Sequence, residues 1–413
     1  MKLAVMSDLH VGLAARAKDL CPEPPANKKK DRAKYNTKTD GTYRHNFVQF
    51  VEANHITADY LVLPGDLTHK AQPQEVKIAS DFILQAADAL KVPHANIIFV
   101  PGNHDVDWSF FDPADTTGVR WAQRYTGIGH PTFHFRQIIN RGLGDILSSP
   151  YFTAWQFTDL LAIGYNSASH DAPVHKDAAH HGLAEPQHLE EIRTFIDGLG
   201  PPDNRVRLFL VHHHPLDFAN PIPRTPDFSL MTNAERLLSI CHDCSFDLII
   251  HGHKHHPRFE THSTLTYPHL PILCSGSFSV EIDTEWAGTI DNQFHLVTID
   301  GRAGAENMIT GTLTSWTNNR AKGWIPSEVS ASGIHHTIPF GSYVMPAALD
   351  DRLDPFIRQW LTTHDHVLWR DIVRQFPDLE HLPLDSAIAA FRRMAQRLGR
   401  QSMYETLKDL ILY

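Results

Sequence analysis

Cysteine is scarce: the chain has four in 413 residues. That is too few for the disulfide framework that holds small secreted domains together. Cys241 and Cys244 form a Cys-His-Asp-Cys pair, but no second CxxC completes a zinc ribbon. The pair is read as ordinary thiols at a helix end, in a reducing cytoplasm. Long apolar runs are missing as well. Stretches such as Tyr-Leu-Val-Leu-Pro-Gly at 60–65 fall far short of the ~20 residues a membrane-spanning helix needs. The N-terminal run Met-Lys-Leu-Ala-Val-Met meets Asp8 before it reaches signal-peptide length. The expectation is a cytoplasmic protein with no membrane partner. Positive charge is not in excess either: 37 Lys and Arg against 47 Asp and Glu leave a net charge of −10. This excludes a general basic coat for nucleic acid, though not a local basic patch. No internal repeat and no low-complexity tract is present.

What the chain does have is histidine, 29 residues of it. Histidine is the commonest metal ligand among side chains. One site can use only a handful, so most of the 29 belong to surface and core. The hydrophobic fraction, 42%, is that of a globular protein with a real core.

Short apolar runs rich in branched residues, each ended by a turn signal, predict strands at 2–7, 58–64, 95–101, 160–166, 206–212 and 246–252. Apolar residues at three and four spacing predict helices at 45–55, 75–90, 185–199 and 233–243. Strands alternating with helices give an α/β fold. Two later strands, in 271–282 and 292–300, follow each other without a helix, as a second sheet or an antiparallel continuation. Insertions at 14–44 and 107–157 and a Pro-rich loop at 217–231 follow strands that end in polar residues, where α/β proteins build sites. The expected organisation is a catalytic domain over 1–300, a linker or extension over 301–349 and a helical C-terminal region over 350–413.

The strand ends carry the chemistry. The first gives Asp8 and His10, the second Asp66 after a glycine, and the third Asn103, His104 and Asp105 in Pro-Gly-Asn-His-Asp. The fifth gives His212, His213 and His214, and the sixth His251, His253 and His255. Ends of successive parallel strands lie along one edge of a doubly wound sheet. Alternation lets Asp8 and His10, and likewise His253 and His255, point the same way. A carboxylate, amide and imidazole set without thiolate suits divalent Mn, Fe, Co or Zn. The donors outnumber the needs of one tetrahedral ion, which implies two ions sharing a carboxylate. Any one of these motifs is ordinary turn chemistry; five in order at strand ends are not.

The series Ser-Asp-Leu-His, Gly-Asp, Gly-Asn-His-Asp, His-His-Pro and Gly-His-Lys-His resembles the calcineurin-like metallophosphoesterase superfamily over residues 1 to about 300. The resemblance implies a four-layer αββα sandwich with a C-terminal helical extension outside it. It also implies two divalent metal ions (Mn, Fe or Zn). Asp8, His10, Asp66 and His255 would hold one, and Asp66, Asn103, His213 and His253 the other. Within the triple His, the family pattern of a His two residues before a Pro selects His213. His212 is then a strand residue and His214 a neighbour of the pocket. His104 would protonate the leaving group or orient the phosphate, and Asp105 would orient His104 or cap the turn. Thr68 and His69 stand where many relatives carry a carboxylate, which alters the pocket wall.

The resemblance implies a phosphate-ester substrate, attacked in line by hydroxide shared between the ions. The motif wording is nearest the cyclic-nucleotide phosphodiesterase branch, so a nucleotide or related small diester is expected. A nuclease acting on DNA or RNA is the alternative. Lys28, Lys29 and Lys30 in the first insertion are read either as a solvated loop or as contacts to further phosphates. Trp108, Phe110, Phe111, Trp121 and Tyr125 can stack bases or pack the second insertion. The basic helix face at 391–400 is read as solvated surface. A third reading, a metal-binding scaffold that recruits a partner through its tail, is disfavoured because no expected ligand is missing.

Overall fold

A computed structural model of the chain describes residues 1–23, 27–105, 147–148, 151–169, 181–217, 230–264, 269–281, 290–304, 307–403 and 410–413. The aromatic residues singled out between 108 and 125 lie outside them, as does the rest of 106–146.

Three short parallel strands begin the fold: β1 (Lys2–Val5), β2 (Tyr60–Leu63) and β3 (Ile97–Phe99). Helices α1 (Lys29–Thr37), α2 (Tyr43–Ala53) and α3 (Pro73–Ala89) fill the connections. Next come β4 (Leu147–Ser148), β5 (Phe152–Gln156), β6 (Leu160–Tyr165), α4 (Pro186–Gly198), β7 (Val206–Val211), α5 (Ala234–Asp243) and β8 (Leu248–His251). The sheets are completed by β9 (Arg258–His262), β10 (Leu270–Cys274), β11 (Asn292–Ala303), β12 (Met308–Asn319), β13 (Gly323–Pro326) and β14 (Thr337–Phe340). One sheet runs β13-β12-β11-β1-β2-β3, with β14 also on β12; the other runs β4-β5-β6-β7-β8-β10-β9.

Alternation along the strands sorts side chains into layers. Leu3, Val5, Val62 and Ile98 of the first sheet meet Leu208, Leu210, Leu248 and Ile250 of the second. The intervening residues point outward. Ala4, Leu61 and Phe99 pack under Phe47, Phe82 and Ile83 of α2 and α3. Ile163, Phe209 and Ile249 pack under Leu189, Ile192 and Leu237 of α4 and α5. The result is helix, sheet, sheet, helix, as expected. Each fully buried large side chain contributes on the order of 1.5–3 kcal/mol, so the apolar layer between the sheets fixes how their strand ends face each other. The start of α3 is set locally: Pro73 occupies the first turn, and Glu75 accepts from the backbone N–H of Lys70 and Gln72 at 2.8 and 3.3 Å. This holds the loop after β2 in place.

One expectation is narrowed and two need correction. Residues 301–349, expected as a linker or extension, are an extension: β12, β13 and β14 extend the first sheet, and β12 pairs with β11 along its length. Their Thr- and Ser-rich alternation was too polar to stand out as strand. The end of the second insertion is likewise ordered sheet, since β5 pairs antiparallel with β6. Finally, the C-terminal region is not wholly helical. Around α6 (Pro346–Trp360), α7 (Trp369–Gln375) and α8 (Leu384–Leu398), the two-residue strands at 367–368, 402–403 and 411–412 form a three-stranded sheet. That region has its own core of Leu353, Ile357, Ile372, Phe391, Met394 and Leu412.

Candidate metal centre

The loops after the parallel strands continue the ladder for a few residues. Asp8 N–H donates to Gly65 O at 3.1 Å and His10 N–H to Asp66 O at 2.9 Å. Backbone geometry then departs from the ordinary. Asp8 (φ 51°), His10 (φ 46°), Asp66 (φ 53°), His253 (φ 80°) and His255 (φ 56°) all take left-handed conformations. Each costs an L-residue ~1–2 kcal/mol. Six other non-glycine residues share that conformation among the described residues, so nearly half of this strain is gathered in one place, as it is at functional sites. Glycine serves close approach here. A Cβ on Gly252 would overlap Ser7 Oγ and the Asp8 carboxylate, and one on Gly65 (φ 99°) would lie 2.5 Å from His212 Nδ1.

Two groups of side chains result. In the first, Asp8, His10, Asp66 and His255 bring one ligand atom each within 4.8 Å of one another. His255 Nε2 is 3.2 Å from Asp8 Oδ1, His10 Nε2 is 3.4 Å from Asp66 Oδ2, and the two Nε2 atoms face each other at 3.2 Å. In the second, His212 Nε2 lies 3.3 Å from Asp66 Oδ2, 3.2 Å from Asn103 Oδ1 and 3.2 Å from His253 Nδ1. His212 donates its Nδ1–H to Pro64 O at 2.8 Å, which leaves the Nε2 lone pair aimed at that cluster. Around them, Ser7 Oγ donates to Asp8 Oδ2 at 2.5 Å and His253 N–H to the same carboxylate at 3.2 Å.

The charge pattern asks for cations. Burial works to raise the Asp8 carboxyl, but His255, His10 and His212 outweigh it and hold Asp8 well below its ordinary value. Burial is likewise overcome at Asp66, chiefly by His212 and His104. Burial pushes His10 down to about 4 and His69 down to about 3. Against its own burial, His212 is lifted to about 9 by Asp66 and Asp8. Two buried carboxylates held ionised side by side mark a position where positive charge is favoured.

Of the residues chosen from sequence, Asp8, His10, Asp66, Asn103, His213, His253 and His255 come together here, His213 in a group with His212 and His253 whose ligand atoms lie within 4.8 Å of one another. The triple His brings His212 to the site beside the expected His213. His212 faces Asp66 and Asn103, while His213 Nδ1 meets Ser167 Oγ at 2.8 Å. The reason is strand alternation. His212 continues the inward series of Leu208 and Leu210, and His213 the outward series of Phe209 and Val211. That register was readable in the sequence, whereas the supporting hydroxyls of Ser7 and Ser167 carried no signal. His104 sits half-buried beside the first group, its ring edge-on to His10 at 4.6 Å and stacked on His69 at 5.5 Å. His214 is buried behind the site, its ring 6.2 Å from that of His253 and packed against His251 and Cys274. Lys28, Lys29 and Lys30 are exposed at the start of α1.

Asp105 does not orient His104; it caps the turn. Its carboxylate accepts from Gly102 N–H, Leu67 N–H, Thr68 N–H and Thr68 Oγ1–H at 2.7–3.0 Å. It thereby ties the Asn103 turn to the Asp66 loop. Asp105→Ala leaves those buried donors unpaired at ~1–3 kcal/mol each. The expected result is a stability loss of at least ~3 kcal/mol in urea denaturation. A loss below ~1 kcal/mol would remove the staple from the account.

Residues 1–257 match the calcineurin-like phosphoesterase family. No curated protein is significantly similar in sequence. Among solved structures, the purple acid phosphatase PPD1 from yellow lupin seeds is 13% identical, with a TM-score of 0.44; the match covers 78% of this chain and 52% of that one. The chain thus spans about half the length of that relative. The NAD nucleotidase of Haemophilus influenzae is 9% identical over 79% of this chain and 53% of that one, TM-score 0.37. The phosphopantetheinyl hydrolase of Mycobacterium tuberculosis is 13% identical over 67% of this chain and 89% of that one, TM-score 0.33. Two carboxylates, an amide and imidazoles without thiolate fit the two divalent cations of the matched family, with Mn, Fe and Zn all compatible. No helix among the described residues is long and apolar enough to cross a membrane. With more than half of its length matched and the strand-end motifs in order, the chain belongs to the calcineurin-like phosphoesterase family.

Proposed function

We propose that this chain is a dinuclear-metal phosphoesterase that hydrolyses small phosphodiesters of the cyclic-nucleotide kind. The observation that supports it most is the place of Asp66. Its Oδ2 lies 3.4 Å from His10 Nε2 and 3.3 Å from His212 Nε2, so one carboxylate serves both groups. In this reading Asp8, His10, Asp66 and His255 hold one cation. Asp66, Asn103, His212 and His253 hold the other. When bound, two such cations polarise a phosphoryl oxygen and make water a nucleophile at neutral pH.

The chain's own residues do the rest. His104 N–H donates to Asp66 Oδ1 at 2.8 Å and fixes the shared carboxylate. The His104 ring donates Nδ1–H to His69 O at 3.0 Å, so Nε2 is the atom that takes up or gives a proton. That ring stands over His10 on the half-exposed side of the site, where a departing ester oxygen needs a donor. His69, stacked on His104, forms the wall beside it. The diester preference rests on the wording of the Asn103 and triple-His motifs. The exposed lysines at the start of α1 favour a second reading, a nuclease that tracks a phosphate backbone.

The test offers Mn-loaded protein bis-p-nitrophenyl phosphate, p-nitrophenyl phosphate, cyclic AMP and a labelled single-stranded oligonucleotide. Turnover of the first and third, with little of the second, is the expected result. Oligonucleotide cleavage that weakens steeply with salt would transfer the substrate to nucleic acid. Silence of a metal-replete sample toward all four overturns the hydrolase reading.

A further inference from the structure

Behind the centre just described lies a second set of donors that the reaction does not use. His214 follows β7, His251 ends β8 and Cys274 ends β10. These three strands are neighbours in the second sheet, and His251 and Cys274 are direct partners in the parallel register. Alternation places His251 and Cys274 on the face of Ile249 and Ile272, which is the helix-covered side of that sheet. All three residues are at most 2% exposed. One ligand atom from each lies within 4.8 Å of the others. Cys274 Sγ is 3.9 Å from His214 Nε2, and the His214 and His251 rings meet at 4.4 Å and 70°.

We propose that His214, His251 and Cys274 form a separate mononuclear site for a thiophilic divalent cation, with Zn²⁺ as the best-matched ion. A tetrahedral zinc with Zn–S near 2.3 Å and Zn–N near 2.0–2.1 Å sets its sulfur and nitrogen about 3.6 Å apart. The 3.9 Å separation needs little adjustment to reach that. Two imidazoles and one thiol are donors that zinc accepts and that Mg²⁺ and Ca²⁺ refuse. This chemistry differs from the thiol-free set around Asp66. As a neutral thiol, Cys274 donates S–H to His256 O at 3.2 Å. On binding, the S–H bond breaks, a sulfur–zinc bond forms and one proton leaves to solvent. The bound ion ties the ends of β7, β8 and β10 together, directly beneath the turns that carry His212 and His253. It acts on those residues by positioning.

The proposal does not depend on the phosphodiesterase reading, and its test does not use turnover. Wild-type protein and Cys274→Ser are loaded with Zn²⁺, dialysed and assayed for metal per chain. Cys274→Ser is expected to carry one equivalent fewer than wild type, and His214→Gln the same. Loading with Co²⁺ is expected to give wild type a thiolate-to-cobalt charge-transfer band in the near ultraviolet that Cys274→Ser lacks. Equal zinc contents in wild type and variants, or a wild-type spectrum without that band, overturn the site. Should both variants fail to fold, titration of wild type with Co²⁺ decides alone: growth of the band to a plateau supports the site and its absence refutes it.

Discussion

Asp66→Asn is expected to lower turnover of any phosphate ester by more than ~100-fold and to cost at least one bound cation per chain. Changing a residue that merely supports a ligand typically costs 10–100-fold in metal affinity or activity, and Asp66 lies between two groups at once. Its Oδ2 is 3.4 Å from His10 Nε2 and 3.3 Å from His212 Nε2, while Oδ1 accepts the His104 N–H at 2.8 Å. Asparagine keeps the shape and can keep the bond to His104 through its amide oxygen. It loses the negative charge, which is the property that lets one side chain serve two cations. Elemental analysis alongside an assay on bis-p-nitrophenyl phosphate reads both effects. Full metal content with wild-type turnover would remove Asp66 from the centre.

A comparable effect is expected at His212, and a smaller one at its neighbour. His212→Ala should lose a cation and reduce turnover by more than ~100-fold, because its Nε2 faces Asp66, Asn103 and His253 together. His213→Ala takes away the ring that meets Ser167 Oγ and leaves those three contacts in place. Its expected cost is within the 10–100-fold range of a supporting residue. Metal content separates the two cases, since only the first variant should lose an ion. The reverse order would restore the choice made from the family pattern.

The sandwich was legible because its parallel strands are pure. In Lys-Leu-Ala-Val, Tyr-Leu-Val-Leu and Leu-Ile-Ile-His every position but the first of β1 is buried. Such strands read as continuous apolar runs, and their abrupt polar endings located the site. The antiparallel extension was not legible for the opposite reason. β12 buries Thr310, Ser315 and Thr317 among its apolar residues, so neither its hydrophobicity nor its period rises above that of a loop. The C-terminal strands are two residues long and exist through tertiary pairing alone. At the site, motif spacing pointed to most of the residues that converge. Spacing alone does not separate His212 from His213; the alternation along β7 does, since it puts them on opposite faces. Nor did spacing show that Asp105 spends its carboxylate on backbone N–H groups, since turn capping and ring orientation draw on the same residue type.

The left-handed turns at Asp8, His10, Asp66, His253 and His255 have a consequence for how this part of the chain can vary. Glycine is the amino acid most at ease in that conformation, and it brings no donor. At each of these five places the backbone and the chemistry therefore demand opposite substitutions. A variant library ranked by folding alone should drift there toward glycine and silence, while one ranked by turnover should keep the uncomfortable residue.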